Sequence, residues 1–473
     1  MKKILMACLS LLTLAVSTGC GEWLDINDNP NYVSEVSESS LLPTGIMLTA
    51  ARVGYEYTLV GYFWAHYAVQ CDNNNQYNDL QDNNLTNQSS YFYNPWRQAY
   101  YAILPTLKDV VNKCEGDETK LNYTMMAKTM TAFNYHMLAS SYERAVVSEA
   151  LQGEANLTPN YDSAEDTYKS VLAMLAEVVA MDVDAVWEAE DTNPTGPNDM
   201  LFEGDIDNWF KFANTLYLKM LMRDFDTNKS TIQSVLASEL GFLDDADAAF
   251  DHFADAADKS NPLYESDRRQ LNTNANMGAC SDIQNVLSAD DPRLLEYYDN
   301  PNNLPLTSMG VAYNVDAKST ENWRVKLAAT DPVFFSSVAE AEFLQAEAYA
   351  RLGDAAQAQA HYEEGIYASF DRWGLDGTEF VEGDYAFKAG DTESMVEQII
   401  NQKWAAACRT QTWDAWWDIN RTGYPQFGKV LTAYSGTLEE GYPRRFLFTY
   451  LSSDYNPNAP AVVGLNVKQW WHK

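Results

Sequence analysis

The sequence predicts a mainly α-helical protein: a scaffold of paired helices that carries long loop insertions and few short strands. Two observations support this fold class. Apolar residues recur at helical spacing along most of the chain, whereas strand-like runs are short and scattered. One stretch also has the length and the residue spacing of a single helical repeat.

The predicted helices share an apolar face with a period near 3.6 residues. In residues 207–225, for example, Trp209, Phe212, Leu216 and Met220 fall on one side of the helix. The helical spacing predicts helices over residues 41–69, 95–111, 119–145, 163–181, 207–225, 281–289, 334–352, 354–369, 392–409 and 411–420.

Residues 343–366, FLQAEAYARLGDAAQAQAHYEEGI, have the pattern of a tetratricopeptide helix pair. The turn falls at residues 352–354, and Gly365 stands where such repeats usually have alanine. Weaker helix pairs occur at 122–181 and around 207–240. We therefore expect a scaffold of tetratricopeptide-like helix pairs, an architecture that normally presents a surface to another protein.

Composition excludes several classes of partner. Of the 473 residues, 46% are hydrophobic, so most of the chain can bury a core. The chain has 32 Lys+Arg against 67 Asp+Glu, a formal net charge of -35. Nucleic acid is therefore not an expected partner, and neither is an anionic membrane bound through charge, because both would repel this protein.

The first twenty residues, MKKILMACLSLLTLAVSTGC, have a basic start, a short apolar stretch, and then small residues before Cys20. This order predicts a lipoprotein signal peptide at 1–19 and lipidation of Cys20, with residues 20–473 forming one mature domain. The alternative is an ordinary secretory peptide that is cleaved nearby. No later segment is apolar for 18 residues, so we expect the lipid to be the only membrane anchor.

Cysteine and histidine spacing indicates no metal site. Cys71, Cys114, Cys280 and Cys408 remain after the signal region and contain no CxxC pair, which excludes a zinc knuckle. A disulfide or buried free thiols are both open for these four. The histidines form no HExxH motif. We expect no cofactor and no metal.

The sequence contains no catalytic motif. It lacks GxSxG and a Walker loop, and pairs of carboxylates arise by chance among so many acidic residues. Glu340 and Glu347 would share a helix face, but Glu347 also lies four residues before Arg351, which predicts a surface salt bridge. We therefore expect a protein that is not an enzyme.

Long insertions carry the candidate ligand-binding residues. Residues 72–94 and 300–332 are rich in amide side chains and aromatic rings, and a third such segment runs from 424 to the C-terminal tryptophans. Sugars stack their C–H faces on rings and bond their hydroxyls to amides. The predicted ligand-binding residues are Tyr77, Asn78, Tyr91, Tyr93, Tyr313 and Trp323. The alternative is that each ring only packs its own loop. Trp413, Trp416 and Trp417 have helical spacing and are expected in the core.

A series of motifs in order along the chain is similar to a known family. They are WLDIN with NPN at 23–31, NYDSAEDTYKSVL at 160–172, GD with WFKFANTL at 204–216, DPRL at 291–294, EAEFLQAEAYA at 340–350, QKW and RTGYP within 399–425, and PRRF at 443–446. Each motif is weak alone. In this order the chain resembles the SusD/RagB outer-membrane lipoproteins of Bacteroidetes, in their SusD-like branch.

The resemblance implies a function. A SusD-like domain over 20–473 would be a cell-surface lipoprotein of the outer membrane that captures an oligosaccharide. It would deliver this glycan to a SusC-type TonB-dependent transporter. The alternative is a peptide-binding, RagB-like subunit of the same kind of complex. An adaptor without a ligand would bury all its loop aromatics, and an enzyme would have two carboxylates facing each other across a cleft.

Overall fold

The computed structural model describes residues 36–71, 75–273, 276–301, 303–306, 309–310, 322–427 and 442–473, and for residues 451–453 it describes the backbone only. Within these ranges the protein is mainly α-helical with short strands, which confirms the predicted fold class. None of the helices described is both long and apolar enough to cross a membrane.

The α-helices, labelled in chain order, are α1 (Glu38–Arg52), α2 (Thr58–Trp64), α3 (Asn78–Gln81), α4 (Ser90–Gln98), α5 (Leu104–Cys114), α6 (Leu121–Tyr142), α7 (Ala164–Val179), α8 (Val183–Thr192), α9 (Ile206–Leu221), α10 (Phe225–Leu236), α11 (Pro262–Tyr264), α12 (Arg293–Tyr297), α13 (Val338–Leu352), α14 (Ala355–Asp371), α15 (Thr378–Glu382), α16 (Thr392–Ala407), α17 (Thr412–Thr422) and α18 (Tyr450–Tyr455). Single π-helical turns at Val53–Tyr57 and Ala99–Ile103 join α1 to α2 and α4 to α5.

Six short strands form two small antiparallel sheets in the described part of the chain. The strands are β1 (Ala68–Gln70), β2 (Ala248–Phe250), β3 (Met277–Ala279), β4 (Tyr298–Asp299), β5 (Arg324–Val325) and β6 (Val333–Ser336). The order is β1-β3-β5-β4 in the larger sheet, and β2 pairs with β6 in the smaller one. The larger sheet therefore includes β5 from the late predicted ligand loop and β1, which ends just before the early one.

Helices α13 and α14 are the predicted tetratricopeptide-like pair. The turn between them begins at Gly353, which has a φ of +88°, a conformation that favours glycine. Asp354 then caps α14 by accepting a hydrogen bond from the backbone N–H of Gln357 at 3.1 Å. Gly365 replaces the usual alanine because a Cβ there would lie 2.8 Å from the ring of Phe343.

The core is continuous between the repeat helices and the N-terminal helices. Helix α17 packs on α2, where Gly61 allows close approach because a Cβ would lie 2.4 Å from the backbone of Trp413. Trp413, Trp416 and Trp417 are buried in this core, as their spacing predicted. Trp416 also meets Trp64 of α2 edge to face, with ring centroids 4.8 Å apart.

The structure differs from the predicted elements in three places. The helix predicted over 41–69 ends at Trp64, because Ala68–Gln70 pair with β3 as a strand. Residues 281–289 form only a 3₁₀ turn at Ser281–Asn285, because the backbone N–H of Ser288 bonds to the hydroxyl of Tyr385 instead of continuing a helix. The helix predicted from residue 334 begins at Val338, because 333–336 pair with β2 as a strand. Cys71, Cys114, Cys280 and Cys408 are buried and no disulfide joins them to one another, so the disulfide alternative for these four is wrong.

Candidate functional site

The early and the late predicted loops do lie beside each other. Cys71, which follows β1, donates its backbone N–H to the carbonyl of Asn276 at 3.0 Å, next to β3. Trp323, which precedes β5, accepts a hydrogen bond from the N–H of Ala279 at 2.9 Å. The four-stranded sheet thus brings together the ends of the segments that the sequence had selected.

Two of the predicted ligand-binding rings are part of the core. Tyr77 is 1% exposed, packs on Phe63, and donates its hydroxyl proton to Asp267 Oδ1 at 2.8 Å. Burial, reinforced by the Asp267 carboxylate, raises the pKa of Tyr77. Trp323 is 3% exposed. A ring that stacks on a sugar must reach solvent, so the burial of these two rings beneath the sheet and its neighbouring helices favours the alternative that they only pack the protein.

The other predicted residues have different surroundings. Asn78 is half-buried at the start of α3 and donates to Asn75 Oδ1 at 3.2 Å. Tyr91 is half-buried against the core, and burial raises the pKa of its hydroxyl. Tyr93, also half-buried, lines an open cavity. Tyr313 and Cys20 lie outside the described residues.

The cavity beside Tyr93, which we call the aromatic pocket, has a volume of about 330 Å³. One wall is a face of α4 and of the π turn that follows it. Four lining side chains lie on this face because their spacing is i, i+3, i+4, i+7: Tyr93, Trp96, Arg97 and Tyr100. The opposite wall is the connection between α6 and α7. The lining residues of that wall are Val146, Glu149, Ala150, Leu151, Gln152, Gly153, Asn156, Pro159 and Tyr161, with Asn456 at the side.

The floor of the aromatic pocket is a rigid set of rings. Trp96 stacks on Tyr161, with centroids 5.4 Å apart and planes 7° from parallel, and meets Tyr142 edge to face. The hydroxyl of Tyr100 donates to the carbonyl of Val146 at 3.0 Å and accepts from its N–H at 2.9 Å. These contacts join the two walls, so the shape of the floor is determined before any ligand arrives.

Polar groups are held at the rim. Glu149 accepts hydrogen bonds of 2.9 Å from the side chains of Asn160 and Asn156 and from the backbone N–H of Asn160. These bonds lower the pKa of Glu149, so the carboxylate is charged at neutral pH. Asn456 donates to the carbonyl of Pro159 at 2.8 Å. The rim therefore offers amide and carboxylate oxygens beside a floor of rings.

Exposed apolar side chains continue the surface beyond the rim. Tyr101, Leu157 and Tyr455 are 71%, 76% and 75% exposed, and each is the neighbour in sequence of a residue that lines the aromatic pocket. The guanidinium of Arg97 lies 4.9 Å from the ring centroid of Tyr101. Not all aromatics are buried, which is the feature that separates a binding protein from an adaptor without a ligand.

Two buried carboxylates with perturbed pKa values, Glu340 and Asp414, lie away from the pocket, inside the helical scaffold. Burial raises the pKa of Glu340, and its carboxylate is paired with Lys219 beneath α13. Asp414, buried in the same cluster, is held charged by Lys219 and Lys403 against the effect of its burial. Because both carboxylates are 4% exposed or less, they stabilise the packing of helices and do not face a substrate cleft.

A larger cavity of about 640 Å³ lies between α1 and β2, and its lining includes Met47, Tyr55, Phe250 and Phe253. Its walls combine apolar side chains with charged groups such as Arg52. Its lining has one amide side chain, Gln270, but no asparagine and no tryptophan. The aromatic pocket, which has both, is the better match to the chemistry of a sugar.

The scaffold of tetratricopeptide-like helix pairs with loop insertions defines the fold class of this protein. The chain belongs to the SusD-like family: the family model described as "Starch-binding associating with outer membrane" matches residues 30–449. A search of curated proteins finds no match.

Solved structures share the fold. A chitin-binding SusD homologue from Flavobacterium johnsoniae has a TM-score of 0.76 and 20% identity, covering 91% of this chain and 98% of its own. A SusD-like protein from Bacteroides thetaiotaomicron has a TM-score of 0.76 at 19% identity, over 92% and 98% of the two chains. A SusD homologue from Bacteroides uniformis has a TM-score of 0.73 at 21% identity, over 92% and 99%.

Sequence reasoning missed most of the aromatic pocket. Trp96 and Tyr100 lie within a helix predicted from its apolar spacing, Tyr161 lies within the motif at 160–172 but was not predicted to bind ligand, and no pattern indicated Asn156. The available signal was the pair of rings at i and i+4 next to Arg97, which places a charged group on an otherwise apolar face. The opposite wall comes from a turn more than forty residues later, so spacing could not reveal it.

Proposed function

We propose that this protein binds a glycan in the aromatic pocket and delivers it to an outer-membrane transporter. The observation that carries the proposal is a cavity in which the half-buried rings of Tyr93 and Tyr100 lie above the stacked pair Trp96 and Tyr161, with amide groups at the rim. Rings supply the flat apolar face that a pyranose needs, and amides bond its hydroxyls. The family description and the chitin-binding relative name glycans as ligands of related proteins.

A glycan fits this pocket better than a peptide does. A bound peptide would need backbone partners, such as a sheet edge or an extended groove. The aromatic pocket is bounded by α4 and by an irregular connection, with no strand of the described chain along it. Its lining contains one cation, Arg97, and one carboxylate, Glu149, so the pocket has no net charge and suits a neutral sugar.

The partner in this proposal is a SusC-type TonB-dependent transporter, with Cys20 lipidated and the protein on the cell surface. The scaffold of helix pairs supports a large interface with such a barrel. Substitution Cys20→Ala tests the anchor, since it should move the protein from the membrane fraction to the soluble fraction. Continued membrane retention in a strain that lacks the transporter would contradict lipidation.

The experiment that tests glycan binding is calorimetric titration of the mature protein with a malto-oligosaccharide, a chito-oligosaccharide and a mixture of short peptides. We expect heat of binding with one glycan class and none with the peptides. Binding of peptides alone would replace this proposal with the RagB-like alternative. Co-purification with a TonB-dependent transporter after mild solubilisation tests the partner separately, and recovery of the tagged protein alone would contradict it.

A further inference from the structure

Strand register brings His66 close to Cys280 and Asp282. In the β1–β3 pair, Ala68 lies opposite Ala279, and the N–H of Cys280 donates to the carbonyl of Tyr67 at 3.1 Å. The residues just before β1 and just after β3 therefore meet at one end of the four-stranded sheet. This end of the sheet takes no part in the aromatic pocket.

These three side chains offer one ligand atom each, and the three atoms lie within 4.8 Å of one another. His66 Nδ1 is 2.6 Å from Asp282 Oδ2. His66 and Cys280 are buried, with 1% and 0% exposure, whereas the Asp282 side chain is 16% exposed. The cluster thus has a buried side made of nitrogen and sulfur and an opening toward solvent at the carboxylate.

The backbone and the neighbouring rings hold His66 in place. Its φ is +62°, a left-handed conformation that a residue with a Cβ adopts only where its surroundings enforce it. Its imidazole stacks on the ring of Phe427, with centroids 4.5 Å apart and planes 11° from parallel. Asp282 is oriented by the side chain of Asn285, which donates to its Oδ1 at 3.3 Å. Such supported side chains are typical of metal ligands.

We propose that His66, Cys280 and Asp282 bind a zinc ion. Imidazole nitrogen, thiolate sulfur and carboxylate oxygen together form a ligand set that zinc accepts in tetrahedral geometry, at roughly 2.0 Å for nitrogen and oxygen and 2.3 Å for sulfur. The chain supplies three ligands, and a water molecule from the open side supplies the fourth. This inference is independent of the proposed glycan function.

Binding requires two proton movements and one side-chain displacement at the cluster. The Cys280 thiol releases its proton to solvent, and the His66 proton that Nδ1 donates to Asp282 in the metal-free protein moves to Nε2, so that Nδ1 can bind the metal. The separation of Nδ1 and Oδ2 must widen from 2.6 Å to about 3.3 Å, the edge of a tetrahedron with bonds near 2.0 Å. Asp282 can make this movement because it is partly exposed and lies in a short 3₁₀ turn.

The test is a titration of the full mature protein, first stripped with a chelator, with Co²⁺ as a spectroscopic probe for the zinc site. We expect one Co²⁺ per chain and an absorption band from thiolate-to-cobalt charge transfer, which Zn²⁺ removes by displacement. Zn²⁺ should also raise the melting temperature, because it binds the native state. Absence of the band in the wild-type protein would overturn the proposal.

Variants assign the ligands. Cys280→Ser should abolish the band, and Asp282→Asn should lower metal affinity by at least about tenfold. Cys114→Ser, a buried free cysteine at the end of α5, is the matched control and should keep the band. Asp282 is partly exposed, so its variant remains informative if Cys280→Ser does not fold. A band that survives Cys280→Ser, or an unchanged affinity in Asp282→Asn, would overturn the assignment.

Discussion

Arg421 of α17 holds the carboxylate of Glu347 of α13 with both terminal nitrogens, Nη1 to Oε1 and Nη2 to Oε2, each at 2.7 Å. Arg351 adds a third bond of 2.7 Å from its Nε. The Glu347 side chain is fully buried and that of Arg421 is 7% exposed. The sequence predicted a surface pair of Glu347 and Arg351. That prediction is wrong about the surface, because α17 covers the carboxylate.

Replacing Glu347 by alanine should strongly destabilise the protein. The change leaves Arg421 buried with Asp418 as its remaining anionic partner, at 2.7 Å. Removing one member of a buried ion pair typically costs about 3–5 kcal/mol. The free energy of unfolding in urea measures the effect.

The matched control is Glu165→Ala, which breaks the exposed pair of Glu165 and Lys169 on α7. Both side chains are more than half exposed, and such pairs often contribute nothing measurable. Equal destabilisation by the two variants would contradict the role assigned to the buried pair.

Stability should decrease with acid partly through Glu347. Burial alone would raise the pKa of this carboxyl, but the charges of Arg421 and Arg351 outweigh it and hold the pKa well below the ordinary value of 4.5. A carboxyl with a depressed folded-state pKa contributes stability above its unfolded pKa and loses that contribution as the pH falls. Glu347→Gln should therefore show a shallower decline of the urea midpoint below about pH 5 than the wild type. Parallel pH profiles would contradict this.

Tyr93→Ala should weaken glycan binding and change the melting temperature little. Tyr93 is half-buried and its ring meets Tyr450 at the edge of the aromatic pocket, with centroids 5.9 Å apart. Loss of a ring that stacks on sugar costs roughly 1–2 kcal/mol, about a 5- to 30-fold rise in Kd. Calorimetry with the glycan that binds the wild type measures it. Tyr217→Ala on α9, also half-buried but outside the pocket, is the control and should bind normally.

Tyr77→Ala should reduce stability, which reverses the expectation from the sequence. The ring is 1% exposed, and truncation of a large buried aromatic costs about 3–5 kcal/mol. Tyr77→Phe keeps the ring and loses only the hydrogen bond to Asp267, so we expect about 0.5–1.5 kcal/mol. Urea unfolding of both variants separates packing from hydrogen bonding. An unchanged melt of Tyr77→Ala together with lost glycan binding would restore its role as a ligand residue.

The ligand residues show where reasoning from sequence stops. Tyr77 and Tyr93 belong to the same aromatic, amide-rich stretch, and Tyr77, with polar neighbours on both sides, is the one that the sequence favours as a ligand residue. Tyr77, just before α3, is a core residue because the π turn Glu265–Gln270 covers it. Tyr93 lines a cavity because α4 turns one face toward the connection after α6. The exposure of a ring depends on such distant segments and cannot be predicted from the residues next to it in sequence.

By itself the sequence determined the helical class, the α13–α14 repeat with its Gly353 turn, the burial of the tryptophans of α17 and membership of the family. These follow from local periodicity, turn chemistry and the order of motifs, which are properties of contiguous residues. Only the tertiary structure determined the position and lining of the aromatic pocket and the burial of Glu347. It also determined that His66 lies close to Cys280 and Asp282. Each of these depends on which remote segments pack together, and that is decided by the whole chain's burial of apolar surface and pairing of polar groups.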